Sequence, residues 1–77
     1  MKYDEMDKKI GSVLKRYREK KGLSLRAVGE ILNVNNSTII KWESGINSIV
    51  AKDLLHYLDL LGFTYEQFID DLKGCDE

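Results

Sequence analysis

Seventy-seven residues, 43% of them apolar and 32% charged, are enough for a single core of four or five helices but not for a core plus a deep enzymatic cleft. No stretch approaches the roughly 18 uninterrupted apolar residues of a membrane span, the start MKYDEMDKK has no apolar segment of a signal peptide, and the one cysteine, Cys75, allows no internal disulfide, so cytoplasm is the expected compartment. The net charge of −1 is unevenly spread: residues 1–50 hold ten Lys or Arg against six Asp or Glu, and residues 51–77 hold two against seven. Residues 8–41 alone carry nine basic side chains and two acidic ones. Such a cluster is either a solvated helix face or a cationic face able to displace counterions from nucleic acid, and its placement decides between them.

Proline is absent and glycines recur at 11, 22, 29, 45, 62 and 74, which suits helices punctuated by short turns. Ile10, Val13, Leu14 and Tyr17 follow the i, i+3, i+4, i+7 spacing of one buried face and predict a first helix from Asp7 to Lys21, stopped by Gly22. Ser24 can cap a short second helix that buries Val28 and Leu32 and ends at Asn33, a residue tolerant of the left-handed conformation. Asn35 offers a side-chain oxygen to the third helix, in which Val34, Ile39 and Trp42 point inward while Asn36, Ser37, Ile40, Lys41 and Ser44 share the other side, with Gly45 as the stop. Leu54, Leu55, Leu58 and Leu61 predict a fourth helix closing at Gly62. Thr64 and Gln67 have the spacing of a capping box, and Tyr65, Phe68, Ile69 and Leu72 stripe a fifth helix. The last residues, GCDE, are expected to fray.

The expected fold is therefore all-α, a compact five-helix domain over 1–77 with its core at 8–72. Within it, 24–45 is a short helix, a tight turn and a second short helix with a polar outer face, the arrangement in which the second helix enters the major groove of DNA. The stretch IGSVLKRYREKKGLS with Ile10, Leu14, Arg18, Gly22, Leu23 and Ser24, then VGEILNV, STIIKWESG and LLHYLDLLGF, in this order and spacing, resembles the single-domain helix-turn-helix regulators of the phage-repressor and Cro type, the Xre family. The resemblance runs from about Ile10 to Ile69 and implies a lambda-repressor-like fold and a sequence-specific regulator, a repressor by family habit.

Carried onto this sequence, the resemblance implies that Asn36, Ser37, Ile40 and Lys41 face base edges. The chemistry is suitable: Asn pairs with adenine N6 and N7, Lys donates to guanine O6 and N7, Ser serves either, and an outward Ile packs on a thymine methyl. Arg18 and Glu43 take positions that form an ion pair between the first helix and the end of the reading helix, and Arg18 can also reach a phosphate. Phosphate contacts are expected from Ser24 and Leu25 at the amino end of the second helix, from the loop residues Ser44, Asn47 and Ser48, and from Lys15 and Arg26. Leu25 stands where relatives often carry glutamine, Gly29 replaces a small alanine, Asn33 replaces a turn glycine, Ile31 is apolar where a polar residue is usual, and Ile49 takes the place of a loop proline.

One such domain covers few base pairs, so a homodimer on a pseudo-palindromic double-stranded operator is expected. Ile46, Ile49, Val50, Tyr57 and Leu60 are apolar beyond what the inward stripe of the fourth helix needs and form the candidate dimer interface, with completion of the core against the fifth helix as the other reading. A protein-binding adaptor or antitoxin-like module is the rival function, its surface drawn from Leu25, Ile31 and Ile40. An enzyme is not expected, nor a cofactor or metal: His56 stands alone, Cys75 has no neighbouring His, Asp70 and Asp71 look like a solvated face, and there is no Gly-rich phosphate loop.

Overall fold

The computed structural model describes residues 3–74, and among them the helices are α1 (Tyr3–Lys20), α2 (Leu25–Leu32), α3 (Asn36–Ser44), α4 (Ala51–Leu61) and α5 (Tyr65–Gly74), with no strand. The tail expected to fray, with Cys75, lies outside the described residues. Helix α1 begins four residues before the predicted Asp7 because nothing between Tyr3 and Met6 breaks a helix, and acidic residues suit its positive amino end. Its stripe of Val13, Leu14 and Tyr17 is buried, with Ile10 packed alongside.

Local chemistry sets most of the boundaries. Ser24 Oγ accepts the Ala27 amide at 3.0 Å and starts α2, and Asn33 ends it at φ 61°, ψ 46°, with the Val34 amide donating back to the Gly29 carbonyl at 2.9 Å. Gly45 and Gly62, both at φ 80°, end α3 and α4. The Gln67 amide donates to Thr64 Oγ1 at 3.0 Å, the hydroxyl half of the expected capping box. Asn35 behaves differently from expectation: it is the N-cap of α3, yet its side chain makes no capping bond, and its carbonyl takes the Thr38 and Ile39 amides instead.

The core joins Val13, Leu14 and Tyr17 of α1 to Val28, Ile39, Trp42, Leu54, Tyr57, Leu58, Leu61 and Phe68. Two expectations about α4 and α5 are corrected here. The inward stripe of α4 is Leu54, Tyr57, Leu58 and Leu61, and Leu55 is 51% exposed. Tyr57 completes the i, i+3, i+4, i+7 stripe with Leu54, Leu58 and Leu61, whereas Leu55 lies about a quarter turn off it, and the buried Tyr57 hydroxyl finds a hydrogen-bond partner inside, described below. On α5, Phe68 is buried while Tyr65 is exposed and only tilts against the Phe68 ring. Helix α5 packs on α1 and α4. Tyr17 stacks on Phe63 with ring centroids 3.7 Å apart and donates its hydroxyl to Asp71. Asp71 is thus a half-buried tie between α1 and α5 and not part of a solvated face.

Candidate nucleic-acid interface

Helix α3 presents two unlike sides. Ile39, Trp42 and Glu43 are buried, and Asn36, Ser37, Ile40, Lys41 and Ser44 are exposed. That alternation follows from nine residues wound at 3.6 per turn, with the inner face anchored by the chain's one tryptophan.

The last turn of α3 is held by side chains of two helices, α1 and α4. Arg18 Nε donates to Glu43 Oε2 at 2.7 Å and Arg18 Nη2 to Oε1 at 3.1 Å, a forked pair at about one-tenth exposure. A third guanidinium nitrogen, Nη1, donates to the Leu23 carbonyl at 2.9 Å, so the same side chain fastens the turn before α2. Tyr57 of α4 donates its hydroxyl to Glu43 Oε2 at 2.7 Å. No buried side-chain nitrogen or oxygen among the described residues lacks a partner. The hydrogen bonds to Glu43 hold the Arg18 guanidinium above its ordinary value, and burial, reinforced by donation to Glu43, pushes the Tyr57 phenol well above the ordinary tyrosine range. Removing one partner from a buried pair of this kind strands the other charge, at a typical cost of about 3–5 kcal/mol.

Two glycines bring α1 backbone-close to the same turn. A Cβ at Gly11 would lie 2.2 Å from the Trp42 carbonyl oxygen and 2.5 Å from that of Glu43. At Gly45 it would meet the Lys8 Cα at 2.7 Å, on a backbone already at φ 80°. The exit of α3 is therefore pressed against α1, backbone to backbone at Gly11 and against Lys8, its Cγ included, at Gly45. Gly29 plays a similar part at the other end, where a Cβ would stand 2.8 Å from the Val34 carbonyl oxygen and 2.9 Å from Asn36 Oδ1. The alanine usual at this position does not fit the turn as it is built here.

The residues expected at phosphates fall into distinct settings. Ser24 accepts the Ala27 amide and caps α2, whose first amides, at Leu25 and Arg26, have no preceding helical carbonyl to donate to. Lys15, Leu25, Ile40 and Ser44 line one shallow recess whose floor is the Arg18–Glu43 pair, so Lys15 is on the α3 side of α1. Arg18 is committed to Glu43 and Leu23. Arg26 reaches Glu30 at 3.4 Å, an exposed pair of little energetic weight. Ser44 donates to the Ile40 carbonyl at 2.8 Å and Ser48 to Asp7 at 2.8 Å, so both hydroxyl protons are engaged within the chain and Ser48 sits beside a carboxylate that repels phosphate. Asn47 is exposed, and its backbone amide closes the α3 end by donating to the Lys41 carbonyl. The basic cluster of α1 is split: Arg16 and Lys20 line a different groove, with Tyr17, Phe63, Gln67 and Asp71.

The candidate dimer surface also changes composition. Tyr57 is fully buried and belongs to the core, which removes it from any interface. Ile49 and Leu60 are partly buried against the core. Ile46 at 70% exposure and Val50 at 58% remain, and Leu55 joins them. Gly11 and the Tyr57 hydroxyl are the positions that sequence reasoning passed over. A glycine inside a helical stripe was the available signal for the first, and no local signal marks the second.

A strandless domain whose second and third helices meet at a tight left-handed turn, with α3 turned outward and anchored by its last turn, defines a helix-turn-helix domain. The chain belongs to the helix-turn-helix family of Cro/C1 type (HTH_3), which matches residues 14–68, a family of DNA-binding transcriptional regulators. Two solved structures of the clp gene regulator ClgR from Corynebacterium glutamicum share its fold. One has a TM-score of 0.87 at 21% identity, over 94% of both chains, and the other a TM-score of 0.86 at 21% identity, over 91% of this chain and 74% of that one. No curated protein sequence matches. No helix among the described residues is long and apolar enough to cross a membrane.

Proposed function

We propose that this protein is a sequence-specific regulator that reads double-stranded DNA through the major groove with α3, and that it represses by occupying an operator. The carrying observation is the outer face of α3: Asn36, Ser37, Ile40 and Lys41 are all exposed on a helix whose opposite face is fixed by Trp42 and Glu43. Asn and Lys bring hydrogen-bonding groups for purine edges, and Ile40 brings a methyl contact for thymine. Lys15 and the amides at the start of α2 supply phosphate contacts that set register. The structural likeness to a protein described as a gene regulator supports the regulatory part. A homodimer assembled through Ile46, Val50 and Leu55 would place two copies of α3 on half-sites about one turn apart. The acidic α5, seated on α1 and α4, would stay clear of the phosphates.

The test is selection of duplexes from a random pool, followed by affinity against salt for the wild type and for Asn36→Ala with Lys41→Ala. An enriched palindrome, a steep salt slope, and loss of sequence preference in the double variant, by about 1–3 kcal/mol per reading contact, are the expected results. Weak binding with no enrichment would end this reading and turn attention to the exposed Ile31 and Ile40 as a protein-docking surface.

A further inference from the structure

Glu43 is the residue through which the rest of the domain grips α3, and two helices hold it at one oxygen. Oε2 receives Arg18 Nε of α1 and the Tyr57 hydroxyl of α4, each at 2.7 Å, while Oε1 receives Arg18 Nη2 at 3.1 Å. A carboxylate bound by Arg18 alone can swing with the guanidinium plane, because both of its bonds come from one side chain. A second donor approaching from another helix removes that freedom. The Tyr57 ring adds bulk next to Trp42, with centroids 6.3 Å apart, and a phenylalanine would supply the same bulk. What the tyrosine adds is the O–H alone, spent on Glu43 in a fully buried setting.

We infer that Tyr57 is a positioning residue for the reading helix: by holding the Glu43 carboxylate from the α4 side, its hydroxyl fixes the angle at which α3 leaves the domain, and so governs discrimination between DNA sequences more than the strength of DNA binding. The inference rests on the reading of α3 as the major-groove helix. Phosphate contacts tolerate a small tilt of α3 because they come from Lys15 and the start of α2. Contacts from Asn36 and Lys41 to base edges do not, since bidentate hydrogen bonds weaken steeply with angle.

Tyr57→Phe tests it, with Phe68→Leu as a buried core variant on α5 that removes no hydrogen-bonding group. Wild type is measured first, on its selected duplex and on a scrambled duplex of the same length. For Tyr57→Phe the expected result is unchanged affinity and salt slope on the scrambled duplex, a preference for the selected duplex reduced roughly tenfold, and shifted, faster-exchanging amides from Trp42 to Gly45. Phe68→Leu, studied at a temperature where both variants are fully folded, is expected to keep the wild-type preference. Retained preference in Tyr57→Phe, equal loss in both variants, or failure of Tyr57→Phe to fold would each overturn the inference while leaving the DNA reading in place. A wild type that prefers no sequence would bring down the DNA reading, and this inference with it, before any variant is made.

Discussion

The two ends of α3 both come close to a glycine, but only one of them is anchored by buried side chains. Its last turn is enclosed: Gly11 lets α1 touch the Trp42 and Glu43 carbonyls, Gly45 turns the chain against Lys8, and Arg18 and Tyr57 converge on Glu43. Its first turn lies close to α2 at Gly29 but is held by no ion pair or side-chain cap, and Asn36 and Ser37 are exposed. A reading helix must be rigid with respect to the domain yet must leave its outer and leading side chains unoccupied for the groove. Anchoring one end and one face meets both needs, because a helix of nine residues transmits orientation along its own hydrogen bonds.

This contrast can be broken most severely at Gly11. Replacing it with alanine gains helix propensity of about 1 kcal/mol but drives a methyl into two backbone carbonyls that have no rotamer with which to yield. A net loss above about 3 kcal/mol is expected by urea denaturation, against a change within about 0.5 kcal/mol for Ser37→Ala at the other end. Equal effects at the two sites would show that the two ends are not held differently.

Alkaline pH probes the enclosed end more gently. Tyr57 stays protonated in the fold, while in the unfolded chain it ionises near the ordinary value of 10.0. Its contribution is therefore complete below about pH 10 and lost as pH rises beyond it, by up to about 1.4 kcal/mol per pH unit. Stability followed against pH should fall more steeply in the wild type than in Tyr57→Phe, the other tyrosines cancelling in the comparison. Parallel curves would mean that the Tyr57 phenol ionises as readily folded as unfolded.

The smallest effect compares two helix starts. Ser24→Ala removes a capping bond and should cost about 1 kcal/mol, whereas Asn35→Ala removes none and should cost a few tenths. Thermal melts of the two variants separate them, and a larger loss at Asn35 would mean that its side chain caps α3 in solution.

Much of this arrangement is written in short-range pattern. The caps and stops at Ser24, Asn33, Gly45 and Gly62, and the inward turn of Ile39 and Trp42 against the outward turn of Ile40 and Lys41, follow from residues within one or two turns of each other. Those interactions are decided by backbone sterics and helical period, which a sequence displays directly. The Arg18–Glu43 pair was legible only through family resemblance, since the two residues are 25 apart in sequence. That α4 buries Tyr57 and not Leu55 agrees with the i, i+3, i+4, i+7 spacing of Leu54, Tyr57, Leu58 and Leu61, which reading the leucines alone passed over. What spacing does not display is the partner of the Tyr57 hydroxyl, the Glu43 carboxylate 14 residues away. Gly11 belongs to the same class, for its small size matters only once α3 lies across α1. The sequence by itself determined the five helices, the stops of α2, α3 and α4 and the polar face of α3. Tertiary structure decided how α3 is held, because the partners of Glu43 and the close approach at Gly11 come from segments that only three-dimensional packing brings together.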